Sequence, residues 1–91
     1  MTDPIEDLIK AGAKIVDVRS PEEFEDEHYE GAINIPVNEI QARTGELGGP
    51  DTPLVLYCAT GSRSAFAARL LSMAGYKTVV NAGGLYDMPG Y

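Results

Sequence analysis

The spacing of apolar and polar positions changes along the chain, and each change marks an element. Leu54-Val-Leu-Tyr-Cys58 is continuously apolar and is bounded upstream by Gly49-Pro50-Asp51, which reads as a buried strand. After Cys58 the period becomes helical. Phe66, Leu70 and Met73, and beside them Ala67, Leu71 and Ala74, recur at three- and four-residue spacing, and Gly75 stands where a helix usually ends. Lys14-Ile-Val-Asp-Val18 is a β-branched run suited to another buried strand, Ile33-Asn-Ile35 to a brief one closed by Pro36, and Lys77-Thr-Val-Val80 to a fourth.

Helix-start signals fill the gaps between these strands. Asp3-Pro4-Ile5-Glu6 combines an N-cap residue, a proline suited to the first turn and a glutamate three residues after the cap, so a short helix is expected to about Ala11, ended by Gly12. Ser20-Pro21-Glu22-Glu23 repeats the pattern and predicts a second helix of about two turns. Asn38 is expected to cap a further short helix to about Arg43. Gly45, Gly48, Gly49 and Pro50 then form a loop, the expected place for flexibility, and Gly83-Gly84 turns the chain before a last helical turn at most. Strands alternating with helices predict a three-layer α/β domain with a central parallel sheet flanked by helices, because parallel strands need crossover connections that lie on the sheet faces.

Composition narrows this picture. At 91 residues the chain is expected to form one domain, residues 1–91. Its single cysteine rules out an internal disulfide and a cysteine-rich metal site. No metal and no cofactor are expected. No apolar run approaches the roughly 20 residues that span a bilayer, and no secretory leader is recognisable. A cytoplasmic location is the expectation, although a processed exported chain would read the same way. A formal net charge of -7 argues against nucleic acid or an anionic membrane as the main partner. Glu22, Glu23, Glu25, Asp26, Glu27 and Glu30 concentrate that charge, most simply as a solvated helix face and alternatively as a docking surface for a basic partner.

Candidate chemistry gathers where the central strand ends. In open parallel sheets ligands bind beyond the carboxyl ends of the strands, which is where Cys58 lies and where Asp17-Val18-Arg19 also falls, on one face of the domain. A thiol there, followed by a short loop opening a helix, sits near unpaired backbone N–H groups and the positive end of the helix dipole. Gly61 permits a tight turn or close approach, Thr60 and Ser62 offer hydroxyls, and Arg63 brings a permanent charge. The N–H groups of residues 59 to 63 are therefore expected to stabilise a negative sulfur. A cysteine so placed is expected to have its pKa lowered below that of a free thiol and to be a nucleophile toward sulfur at neutral pH.

The stretch Cys58-Ala-Thr-Gly61-Ser-Arg63-Ser64, with Ala67-Ala68, Leu71, Gly75-Tyr76, Val79, Asn81 and Gly83-Gly84, resembles the rhodanese-homology (sulfurtransferase) family. Asp17-Val18-Arg19, Pro21-Glu22-Glu23-Phe24, His28 and Gly31-Ala32-Ile33-Asn34-Ile35-Pro36 extend the resemblance over nearly the whole chain. It implies a rhodanese-like domain that passes a sulfane sulfur from a donor such as thiosulfate, through a persulfide on Cys58, to cyanide or a thiol. By the same resemblance Ala59, Thr60, Gly61, Ser62 and Arg63 would cradle the outer sulfur. Asp17, Arg19, His28 and Ser64 would support the structure. From its place beside a strand end, Arg19 is expected to form an ion pair with nearby Glu22 or Glu23 that fixes the adjoining helix, and a thiolate stabilised by the cradle needs no base from His28.

The chain departs from the family pattern at Ala59, where a basic residue is common, at Tyr29, and in lacking a tryptophan after the double glycine. The first of these would weaken thiosulfate binding or shift donor preference. Phosphatases and arsenate reductases on the same scaffold separate Cys and Arg by five residues. Here four intervene, a smaller ring suited to one sulfur atom. The alternatives kept are a persulfide carrier or redox sensor serving a protein acceptor, and a non-catalytic adaptor module. The oligomeric state is not readable.

Overall fold

Leu54–Cys58 forms one of two inner strands in a computed structural model that describes residues 3–91. Numbered in chain order, β1 is Lys14–Asp17, β2 Ile33–Asn34, β3 Leu54–Cys58 and β4 Val79–Gly84, joined in one sheet of order β2-β1-β3-β4. Every pairing is parallel. Helix α1 spans Pro4–Lys10, α2 Pro21–Asp26 and α3 Ser62–Met73, with 3-10 turns at Val37–Glu46 and Leu85–Asp87. Among the described residues no helix is long and apolar enough to cross a membrane.

The alternation of side chains along β1 and β3 builds two apolar layers. Val16, Leu54, Leu56 and Cys58 face Ala67 and Leu71 of α3, with Ile40, Leu47 and Tyr76. Ile15, Val55 and Tyr57 point the other way, toward Leu85, Met88 and the inner side of α1. Both faces of β3 are covered, as expected of a fully apolar strand in a parallel sheet. The two apolar rows on α3 are buried unequally: Ala67 and Leu71 are buried and Leu70 packs partly against them, whereas Phe66, Met73 and Ala74 lie exposed.

The helix starts follow their signals to different degrees. Ser20 and Glu23 close a reciprocal capping box at the start of α2. At α1, Asp3 accepts from the Ile5 amide at 2.9 Å, but Glu6 turns to Lys10 instead of back to the cap. Asn38 caps nothing. The segment begins at Val37 after Pro36, continues as 3-10 turns to Glu46, and breaks its geometry at Arg43. The glycine-rich loop that follows is anchored, because Leu47 is buried and the Tyr76 hydroxyl reaches the Gly48 carbonyl at 2.7 Å.

The fourth strand lies later than its β-branched residues suggest. It runs through Gly83-Gly84, and its register against β3 slips between Leu56 paired with Asn81 and Cys58 paired with Gly84. That is one extra residue on β4, a bulge, with Gly83 at a φ of 95°. The double glycine is thus part of the strand that flanks the cysteine.

Candidate active site

Cys58 ends β3 and is fully buried, and the chain leaves it through Ala59 and Thr60 to Gly61, whose φ of 99° turns the loop into α3. A side chain at Gly61 would be strained there. The loop lies tightly on β4: a Cβ at Gly84 would stand 2.3 Å from the Ala59 carbonyl oxygen. No side chain fits between loop and strand, which accounts for the glycine.

Three backbone groups and one hydroxyl converge on the sulfur. The Gly61 N–H donates to Sγ at 3.0 Å and Ser64 Oγ lies 3.4 Å away. Burial pushes the Cys58 thiol up, but the Ser64 hydroxyl and the N–H groups of Ser64, Gly61 and Thr60 outweigh it and hold the thiol below its ordinary range. Of the expected cradle, Thr60 and Gly61 bond the sulfur and Ser64 joins them, whereas Ala59, Ser62 and Arg63 are not among the hydrogen-bond partners of Sγ.

The remaining loop residues take different places. Thr60 and Ser62 are exposed, their hydroxyls 3.5 Å apart. Arg63 is half-buried and makes a two-armed ion pair with Glu23 of α2, at 2.7 and 3.1 Å. That partner holds the Glu23 carboxyl down to about 2. The charge expected to serve an anionic donor is thus already engaged by a carboxylate. Beside it, Arg63, Ser20, Val37, Asn38 and Glu39 line a cleft of 240 Å³ at the carboxyl edge of the sheet.

Arg19 does not pair with Glu22 or Glu23. It folds back on Asp17 two residues earlier, with Nη2 at 2.7 Å and Nε at 3.0 Å from the carboxylate, and its Nη2 also reaches the Glu27 carbonyl at 2.5 Å. The fully buried Asp17 is the nearer anion, and this pairing satisfies both charges inside the protein. The pair braces the end of β1 against the end of α2. His28 stacks on Phe24 with ring centroids 3.8 Å apart and donates from Nδ1 to the Phe24 carbonyl at 2.7 Å. It lines a separate cavity of 510 Å³ with Ile9, Tyr29 and Tyr91.

Asn81, which carries no role in the sequence reading, touches the cradle at three points. Its Oδ1 accepts from Ser64 Oγ at 2.6 Å and from the Gly83 N–H at 2.9 Å, and its Nδ2 donates to the Gly61 carbonyl at 3.1 Å. A usable signal exists, since an asparagine two residues before a glycine is a common side-chain-to-backbone turn.

Residues 2–88 match the profile of the Rhodanese-like domain. The chain is 42% identical over 74 residues to the thiosulfate sulfurtransferase PspE of Escherichia coli (strain K12), covering 80% of this chain and 71% of that one. It is 39% identical over 77 residues to a candidate sulfur carrier protein of Bacillus subtilis (strain 168), YrkF, covering 84% of this chain and 41% of that longer protein. Among solved structures, a rhodanese with anions from E. coli superposes with a TM-score of 0.81 at 39% identity, over 86% of this chain and 93% of the other. A buried thiol cradled at the end of an inner strand of a parallel sheet, in a chain matched along nearly its whole length, leaves one conclusion: the protein belongs to the rhodanese-like domain family of sulfurtransferases.

Proposed function

We propose that the protein moves a sulfane sulfur from a donor such as thiosulfate to a thiophilic acceptor through a persulfide on Cys58. The observation that carries this reading is the sulfur of Cys58 held at 3.0 Å by the Gly61 N–H and approached by Ser64. Hydrogen bonds of this kind favour the thiolate, the form that attacks sulfur. The thiolate bonds to the outer sulfur of thiosulfate, the S–S bond of the donor breaks, and sulfite leaves with the bonding pair. An acceptor then attacks the outer sulfur of the persulfide. Cyanide leaves as thiocyanate and a thiol acceptor as its persulfide, and Cys58 returns as a thiolate. Ala59, Thr60, Gly61, Ser62 and Arg63 form the loop around the transferred atom, and Asp17, Arg19 and His28 hold the surrounding elements. A reducing compartment such as the cytoplasm suits a site that depends on a free thiol.

A second reading, transfer to a protein acceptor, is favoured by the Arg63–Glu23 pair. With its guanidinium engaged and Ala59 adding no charge, the site offers less to thiosulfate than two free cations would. Thiocyanate formation from thiosulfate and cyanide, compared between the wild type and Cys58→Ser, tests the enzymatic reading. Turnover only in the wild type supports it, and equal turnover in both overturns it.

A further inference from the structure

The hydroxyl of Ser64 has more acceptors than protons. Its Oγ lies 2.6 Å from Asn81 Oδ1, 3.2 Å from the Gly61 carbonyl, 3.4 Å from Cys58 Sγ and 3.5 Å from the Gly83 carbonyl. A serine hydroxyl carries one proton. The orientation of the Asn81 amide is determined by its other partners: a flip would set its NH2 against the Gly83 N–H and its oxygen against the Gly61 carbonyl. Its oxygen therefore faces Ser64 and can only accept. The shortest of these contacts competes with the sulfur.

We propose that Asn81 is a positioning residue for Cys58: it competes with the sulfur for the single proton of Ser64, and yields that proton when negative charge develops on Sγ. The proposal rests on reading Cys58 as the sulfur-carrying nucleophile. While Cys58 is a thiol, the Ser64 O–H points to Asn81 Oδ1 and keeps its proton. When the thiol ionises, the hydroxyl turns about its Cβ–Oγ bond toward the sulfur, and Asn81 Oδ1 keeps the Gly83 N–H as donor. Once the outer sulfur is bonded, charge moves out to that atom and the hydroxyl returns to Asn81. No covalent bond is made or broken by Ser64.

The charged groups around the thiol come from four elements. Arg63 of α3 is engaged by Glu23 of α2, Arg19 after β1 is engaged by Asp17, and Asp87 accepts from the Gly84 N–H. Changes at Asn81 or Ser64 leave these groups unaltered in kind, so a shift in Cys58 ionisation reports on the hydroxyl.

The test is the rate of Cys58 alkylation by iodoacetamide from pH 5 to 9 in the wild type, Asn81→Ala, Ser64→Ala and the double variant. Asn81→Ala is expected to lower the midpoint and Ser64→Ala to raise it, each by about one pH unit, the scale of a hydrogen bond to a charged atom. In the Ser64→Ala background, Asn81→Ala should move the midpoint no further. A midpoint that fails to fall in folded Asn81→Ala, or that falls equally in both backgrounds, overturns the proposal. Should Asn81→Ala not fold, Asn81→Asp keeps the acceptor and adds charge. It should raise the midpoint more with Ser64 present than without it, and an equal rise overturns the proposal. Intact mass after thiosulfate treatment separates the two readings: sulfur uptake by the wild type without the predicted shifts contradicts the Asn81 role alone, and no uptake by the wild type contradicts the nucleophile itself.

Discussion

Cys58 is fully buried against the apolar side chains of the α3 layer, yet its thiol is held below the ordinary range because the donors that converge on Sγ outweigh the effect of burial. Backbone N–H groups and the Ser64 hydroxyl supply this without a base. His28 is therefore expected to be dispensable for reactivity: in a folded His28→Ala variant, alkylation of Cys58 by iodoacetamide should stay fast well below pH 8. A base-assisted thiol would instead slow sharply at neutral pH, since general-base activation contributes typically 10²–10⁴-fold. Cys58→Ser should remove sulfur transfer while shifting stability by no more than about 1–2 kcal/mol, because serine keeps the shape and finds the same donors. Thermal melting beside the transfer assay checks both halves of that statement. The thiol and its loop were legible from sequence because they are contiguous, Cys58 to Ser64. Asn81 was not, since it meets Ser64 only through packing across 17 residues.

At the scale of elements, α2 and α3 are tied by one ion pair across 40 residues, Glu23 to Arg63. Glu23 also closes the capping box of α2, so one carboxylate serves both the helix start and the loop. Its folded value of about 2 lies below the ordinary 4.5. A depressed carboxyl stabilises the fold above its unfolded value and loses that contribution as pH falls through the folded one. Melting temperature should therefore drop between about pH 4.5 and 2 in the wild type, and drop less over that window in Glu23→Gln. The pair is more than a third exposed, so the effect is small. Arg63→Ala should weaken thiosulfate use more than it weakens folding, because its charge borders the loop. Unchanged thiosulfate kinetics would leave Arg63 a brace for α2 alone. Where β4 meets the loop, Gly84→Ala must push back the Ala59 carbonyl, at a cost of about 1–3 kcal/mol by overpacking. Urea unfolding reads that cost, and the Cys58 alkylation profile should move to higher pH as the cradle opens.

Across the whole molecule, function follows from covering both faces of one short strand and leaving its end beneath a loop. The two apolar layers meet along β1 and β3, and the edge strands β2 and β4 bring Asn34 and Asn81 to the site end of the sheet. Strands β1 and β3 and helix α3 were readable because their periodicity is strong and their burial nearly complete. The last strand extends beyond its expected end because Val79 and Val80 are followed by Asn81 to Gly84, which have little strand propensity and lie against the cysteine loop. Arg19 takes a different anion from the expected one because sequence shows which charges are near and not which is buried: Asp17 is fully enclosed, and Glu23 has Arg63. The proposed function turns on whether Cys58 takes up a sulfur atom. The most direct measurement is intact mass of the purified protein before and after thiosulfate, followed by peptide mapping. One added sulfur located on Cys58, removable by cyanide and absent in Cys58→Ser, is the predicted result. A protein that gains no sulfur, or gains it independently of Cys58, would contradict the account.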